Sequence, residues 1–235
     1  MPAWGMHLYI ADKINKVIKK DENEFLIGNV LPDIYSGWVI KDASKVLNYD
    51  ITHYSNKYII NDKVYTLPDY ERFIIENSHI KKDTIFLGYL SHLIADYYFN
   101  NYAFKNHYIN KGEEIVGIID SDKKEINCDK EYAREAKQGD FNYLSNKIIT
   151  KVNFKEVIID NKIIGIALKI KNIDIKEEDL YKVEKYLNNL FSKENNKYIE
   201  DLDYNYKMFS KEELEMLLNS CINFILEKFK EYSLI

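Results

Sequence analysis

Five side chains carry the residue types of a divalent-metal site: His7, Asp33, His53, His92 and Asp96. The tightest local pattern is His92 with Asp96, four residues apart in an apolar and aromatic stretch from Thr84 to Phe104. On a helix that spacing stacks both side chains on one face, with Cβ atoms about 6 Å apart. A neutral imidazole and a carboxylate so placed reach one metal ion. A core histidine bonded to a carboxylate shows the same pattern, so the pair alone does not choose. A buried aspartate is costly unless it is paired or on a metal, so some partner must meet Asp96. Asn100 lies on the same row one turn further on. His7 opens an amphipathic segment, where the positive end of the helix dipole favours the neutral ring that a metal needs. Asp33 directly follows Pro32 after a helix end, the ordinary place for an Asx turn. His53 lies in a long unpatterned stretch and needs a reason to be ordered.

Four short stretches carry these residues in order: Trp4-Gly-Met-His7, Phe25-Leu-Ile-Gly-Asn-Val-Leu-Pro-Asp33, Thr52-His53, and Phe86-Leu-Gly-Tyr-Leu-Ser-His-Leu-Ile-Ala-Asp96. In this order they resemble the bacterial zinc-dependent phospholipase C family. That all-α family shares a general architecture with fungal single-strand nucleases. The resemblance implies that Asp33, His53, His92 and Asp96 hold one zinc ion, and His7 and Asp96 a second, with Asp96 bridging. It implies hydrolysis of a phosphodiester or phospholipid-type substrate by a zinc-activated water, which Asp33 orients or deprotonates as the catalytic residue. Two zinc ions follow from the residues present. The family's third ion needs a histidine where this chain has Tyr102, and a His and Glu one turn apart that have no counterpart. His107, Glu113 and Glu114 are the nearest substitutes, and Trp4, Asn100, His107 and Asp140 complete the expected cleft. In secreted members the mature chain starts at the tryptophan, whose amine and carbonyl bind zinc. Here Met-Pro-Ala precedes Trp4, and no lipid-binding β-sandwich follows. A single-strand-nuclease-like enzyme and a non-catalytic metal-binding helical domain are the competing readings.

These residues need elements to hold them. The 235 residues are 46% hydrophobic, with twenty Tyr and eleven Phe but only eight Gly and three Pro, which favours long helices over a many-turned β fold. We expect an all-α fold: residues 1–235 as one compact multi-helical domain around a buried central helix at 84–104, with a minor hairpin around Ser121-Asp122. Further helices are expected over 7–20, 21–31, 68–77, 131–150 with a break at Gly139-Asp140, 176–193, and after the Ser210-x-x-Glu213 capping box to about 231. Asp140 is then a helix cap. Residues 35–67 read as an irregular loop or short hairpin with a strand at 63–67, residues 105–114 as a solvated loop holding His107, and His79 as a surface residue. The isoleucine-rich stretch 152–175 reads as a helix followed by extended chain.

Net charge is −5 with both signs interspersed, so the basic footprint of a nucleic-acid binder is missing. Two isolated cysteines, Cys128 and Cys221, give neither a zinc-ribbon spacing nor a disulfide framework. No apolar run approaches the ~18 residues of a membrane span. The N-terminus lacks the basic and apolar regions of a signal peptide, so a cytoplasmic location is expected. The oligomeric state is left open.

Overall fold

The computed structural model describes residues 3–191 and 204–235. The helices in it are α1 (Trp4–Ile18), α2 (Glu22–Val30), α3 (Tyr49–Thr52), α4 (Tyr70–Glu76), α5 (Thr84–Asn106), α6 (Lys130–Ile149), α7 (Asn161–Ala167), α8 (Glu177–Phe191) and α9 (Lys211–Glu231). Strands β1 (Asn56–Ile60) and β2 (Lys63–Leu67) form an antiparallel hairpin. A second small antiparallel sheet has the order β3 (Tyr108–Lys111), β4 (Glu114–Ile119), β5 (Glu125–Asn127). The fold is all-α with these two sheets appended.

Helix α5 is the centre. Every residue from Ile85 to Asp96 is buried, as expected of a helix apolar on nearly all sides. Its main neighbour is α2, which starts at Asp21, whose carboxylate caps the Glu24 amide. Two glycines set the spacing of this pair. A Cβ on Gly28 would overlap the Ile85 carbonyl oxygen, and one on Gly88 the Phe25 carbonyl oxygen. The two backbones therefore touch, and no larger residue fits at either position. After Val30 the chain tightens into a 3-10 turn, Leu31–Asp33, with Pro32 inside it. Helix α1 packs on α2 and α6, and α9 closes over α5 and α1. One buried apolar cluster joins residues from Trp4 to Phe229.

The helix expected over 131–150 runs unbroken through Gly139. Asp140 is not a cap but a buried residue in mid-helix, accepting the backbone N–H groups of Lys207, Met208 and Phe209. Residues 152–175 have the reverse of the expected order: extended chain first, then α7, which Asp160 caps. Residues 105–114 are not a solvated loop, since β3 and the start of β4 fall there. The hairpin at Ser121-Asp122 is the β4–β5 connection, and the Ser210 capping box is present in full. His79 is exposed at the surface. The expected end of α8 at Lys193 lies outside the described residues. No helix among the described residues is long and apolar enough to cross a membrane.

Candidate metal centre

The five residues come from four elements. His7 is in the first turn of α1, Asp33 ends the 3-10 turn after α2, and His53 directly follows α3. His92 and Asp96 stack on α5. All five are buried, and the structure brings them together. The His53 Nε2 atom lies 3.2 Å from His92 Nε2, 3.5 Å from Asp33 Oδ1 and 3.3 Å from Asp96 Oδ2. On the other side of Asp96, Oδ1 is 3.3 Å from His7 Nε2. The His7 and His92 rings stack in parallel with centroids 3.8 Å apart. Two sets of ligand atoms lie within 4.8 Å of one another: His7, His92 and Asp96, and Asp33, His53 and His92. An imidazole nitrogen has one lone pair for one metal, whereas a carboxylate can bridge two. His92 can therefore serve only one of these sets, whereas Asp96 lies within reach of both His7 and His53.

Surrounding groups fix the orientation of these ligands. His92 Nδ1 lies 2.8 Å from the Asn29 carbonyl oxygen, which can only accept, so that nitrogen carries the proton. The Nε2 lone pair of His92 then points into the cluster, the tautomer that a metal ligand requires. His53 Nδ1 is held 2.8 Å from Thr52 Oγ1, while the Thr52 carbonyl accepts from the Tyr89 hydroxyl. Trp4 Nε1 donates to Asp33 Oδ2 at 3.0 Å, and the Tyr49 hydroxyl to Asp96 Oδ2 at 2.9 Å. With those partners used, both ring nitrogens of His7, Asp33 Oδ1 and Asp96 Oδ1 remain buried with no hydrogen-bond partner. A buried acceptor left unmet costs about 1–3 kcal/mol. The inward His92 lone pair and the inward carboxylate oxygens repel unless a cation, a proton or a metal ion, lies among them. The 3.2 Å between two ring nitrogens also suits two ligands on one tetrahedral ion, each about 2.0–2.1 Å from it. By donor type, burial and orphaned atoms, the residues fit zinc.

The electrostatics agree. Burial, followed by the neighbouring His7 ring, pushes His92 well below the usual imidazole range, so its neutral form persists. Burial pushes the Asp96 carboxyl up, yet the His53, His7 and His92 imidazoles outweigh it and hold the group well below the usual carboxylate range. Burial wins at Asp33 and raises it.

Asp33 also faces outward, into a cleft of about 520 Å³. Trp4, Trp38, Val39 and the carboxylate Glu135 line it beside Asp33, and Arg134, Gln138 and Asn142 of α6 form another wall. These three α6 residues recur every four positions, which is one helix face. Among the described residues no carboxylate comes within 4.0 Å of the Arg134 guanidinium.

The remaining expected cleft residues lie differently. Trp4 lines the cleft and holds Asp33 through its indole. Asn100 is a brace rather than a ligand: its Nδ2 donates to the Asp96 carbonyl and its Oδ1 accepts from buried Lys137. His107 is buried, but its Nε2 faces Glu213 Oε1 at 3.0 Å, outside the five-residue cluster. Glu113 and Glu114 are exposed strand-end residues and replace no ligand. Asp140 is occupied by backbone amides, and the Tyr102 hydroxyl donates to Glu213. Asn29, Tyr49, Thr52 and Lys137 escape sequence reasoning. Asn29 was within reach, because it sits inside the stretch that ends at Asp33.

A buried cluster of three imidazoles and two carboxylates, in an all-α fold and beside an open cleft, has the donor set of a metal centre. Residues 6–205 match the family described as zinc dependent phospholipase C, and the chain belongs to that family. No curated protein and no solved structure matches the chain.

Proposed function

We propose that this chain is a zinc-dependent hydrolase of phosphodiesters of the phospholipid type, working with two zinc ions. Asp33, His53 and His92 would hold one ion, and His7 with Asp96 the other, the Asp96 carboxylate serving both. When bound, zinc supplies a water acidified to a pKa of about 7 and positive charge against the phosphoryl oxygens. The chain's own residues do the rest. Asn29 keeps the His92 lone pair turned inward, and Tyr49 steadies Asp96. Trp4 pins Oδ2 of Asp33, and the carboxylate, set between the cluster and the cleft, orients the attacking water and accepts its proton. Arg134 offers the phosphodiester anion a cation on the cleft wall. Water adds to phosphorus, the P–O bond to the alcohol breaks, and the alkoxide leaves with a proton. We further propose that the chain is one domain, which the apolar cluster joining Trp4 to Phe229 supports.

The observation that carries this reading is the set of orphaned atoms on His7, Asp33 and Asp96 beside an open cleft. The test is hydrolysis of phosphodiester and short-chain phospholipid substrates by zinc-loaded protein. Activity should vanish on chelation with EDTA and return with zinc. Activity that survives EDTA, or its absence from fully metallated protein on every phosphodiester, overturns the reading in favour of a non-catalytic metal domain.

A further inference from the structure

The segment from Ile34 to Asn48 joins Asp33 to α3, and it carries two strongly exposed large apolar side chains. Trp38 is 77% exposed and Val46 70%. Val46 lies beside Gly37, where a Cβ would stand 3.4 Å from both its methyl groups, and Gly37 immediately precedes Trp38. Looseness does not explain the exposure, because the segment is tied at both ends. Tyr35 is buried, donates to Asp179 Oδ2 at 3.0 Å and accepts the Lys176 N–H at 2.8 Å. The same aspartate accepts the Ser44 N–H at 2.9 Å, while Leu47 N–H donates to the Tyr35 carbonyl. At the cleft end Ser36 Oγ donates to the Asp33 carbonyl. Ile40 turns inward and is buried. The clasp thus buries Tyr35 and Ile40 while leaving the bulkiest side chain of the segment in water.

We infer that Trp38 and Val46 form a lipid-docking rim, which seats the cleft mouth on a phospholipid surface. This rests on the phosphodiesterase reading of the site. Trp38 and Val39 line the cleft that reaches Asp33, so the apolar patch is continuous with the place where a substrate headgroup would lie. Tryptophan is the side chain best suited to the water–lipid boundary, with an apolar body and a polar N–H. Its neighbours Val39 and Val46 are aliphatic. They add apolar area to an acyl phase but give no face for a nucleobase, and the chain lacks the basic stripe of a single-strand binder. A lipid surface is the occupant that matches both the chemistry and the position of the patch.

Tryptophan emission tests this directly. Trp4 is buried, so a shift to shorter wavelength on adding phosphatidylcholine vesicles reports on Trp38. The full zinc-loaded chain should show that shift, and Trp38→Ala should bind vesicles about tenfold more weakly, the loss of part of one buried aromatic side chain. Val46→Asp changes an exposed residue that does not line the cleft. It should keep wild-type hydrolysis of dispersed short-chain phosphatidylcholine, yet lose both the shift and most of the rate on vesicles. Unchanged emission with vesicles, equal rates of Val46→Asp and wild type on them, or a shift produced by single-stranded oligonucleotide instead, overturns the rim. If neither dispersed nor vesicular lipid is hydrolysed, the phosphodiesterase reading falls. The emission shift and its loss in Val46→Asp then still decide the rim.

Discussion

The protein buries histidine beside carboxylate in two places, and their partners differ. Around His92 the carboxylates of Asp33 and Asp96 face imidazole nitrogens, and four polar side-chain atoms of this cluster have no hydrogen-bond partner. Around His107 every side-chain polar atom has a partner within hydrogen-bond distance. His107 Nδ1 faces the Ile119 carbonyl at 2.8 Å and Nε2 faces Glu213 Oε1 at 3.0 Å. Glu213 also accepts from the Tyr102 hydroxyl and from Lys123 Nζ. The second cluster closes on protein groups alone, whereas the first leaves four buried atoms unmet. Residue type and burial do not distinguish a metal centre from a structural ion pair. The count of donors against acceptors does.

The strongest way to break that comparison is Asp96→Asn. An amide gives neither charge nor a second bridging oxygen, so bound zinc and phosphodiesterase activity should both be lost, while Glu213→Gln keeps full zinc by elemental analysis. Equal zinc losses in the two variants would erase the distinction. Next in size is Asp33→Asn, expected to slow phosphodiester hydrolysis about 10²–10⁴-fold with the circular dichroism unchanged. A rate within a few-fold of wild type would remove Asp33 from proton transfer. Glu213→Gln should instead act on stability, by about 1–3 kcal/mol in urea unfolding, because its donors are left short of an ionised acceptor.

The smallest effect depends on pH. Burial pushes the Glu213 carboxyl up, but His107, Lys123 and Tyr102 outweigh it and hold the group at about 2, below the ordinary 4.5. A depressed carboxyl stabilises the fold above its unfolded value, and that contribution drains away as pH falls from 4.5 toward about 2. The stability gap between zinc-free wild type and Glu213→Gln should therefore shrink over that window. A gap of constant size would show that the charge on Glu213 contributes nothing.

The sequence makes the helical fold legible because α1, α8 and α9 each carry an apolar period or a cap within one window, and α5 is apolar on nearly every side. It also identifies the five clustered residues, through their types and their order. What it misses lies far apart in the chain. The Asn29 carbonyl meets a ring 63 positions on, and Glu213 meets His107 across 106. Gly139 looks like a break because glycine weakens a helix interior, yet Asp140 beside it binds three amides of 207–209, and that tertiary contact overrides propensity. In 152–175 the isoleucines have no clear period. Asp160, which caps α7, is the local sign that the helix comes second. Strand β3 is too short for its alternation to show.

The touching backbones of Gly28 and Gly88 bear on how this centre keeps its dimensions. Most helix pairs are held apart by side chains, so exchanging a Leu for an Ile moves one helix against the other. Here main chain rests on main chain, and main chain is the one part of a protein that substitution does not resize. The contact works as a fixed gauge. It places the Asn29 carbonyl against the His92 ring within the joint itself, and the aromatic filling around it can be replaced piece by piece while the distance between α2 and α5 stays the same.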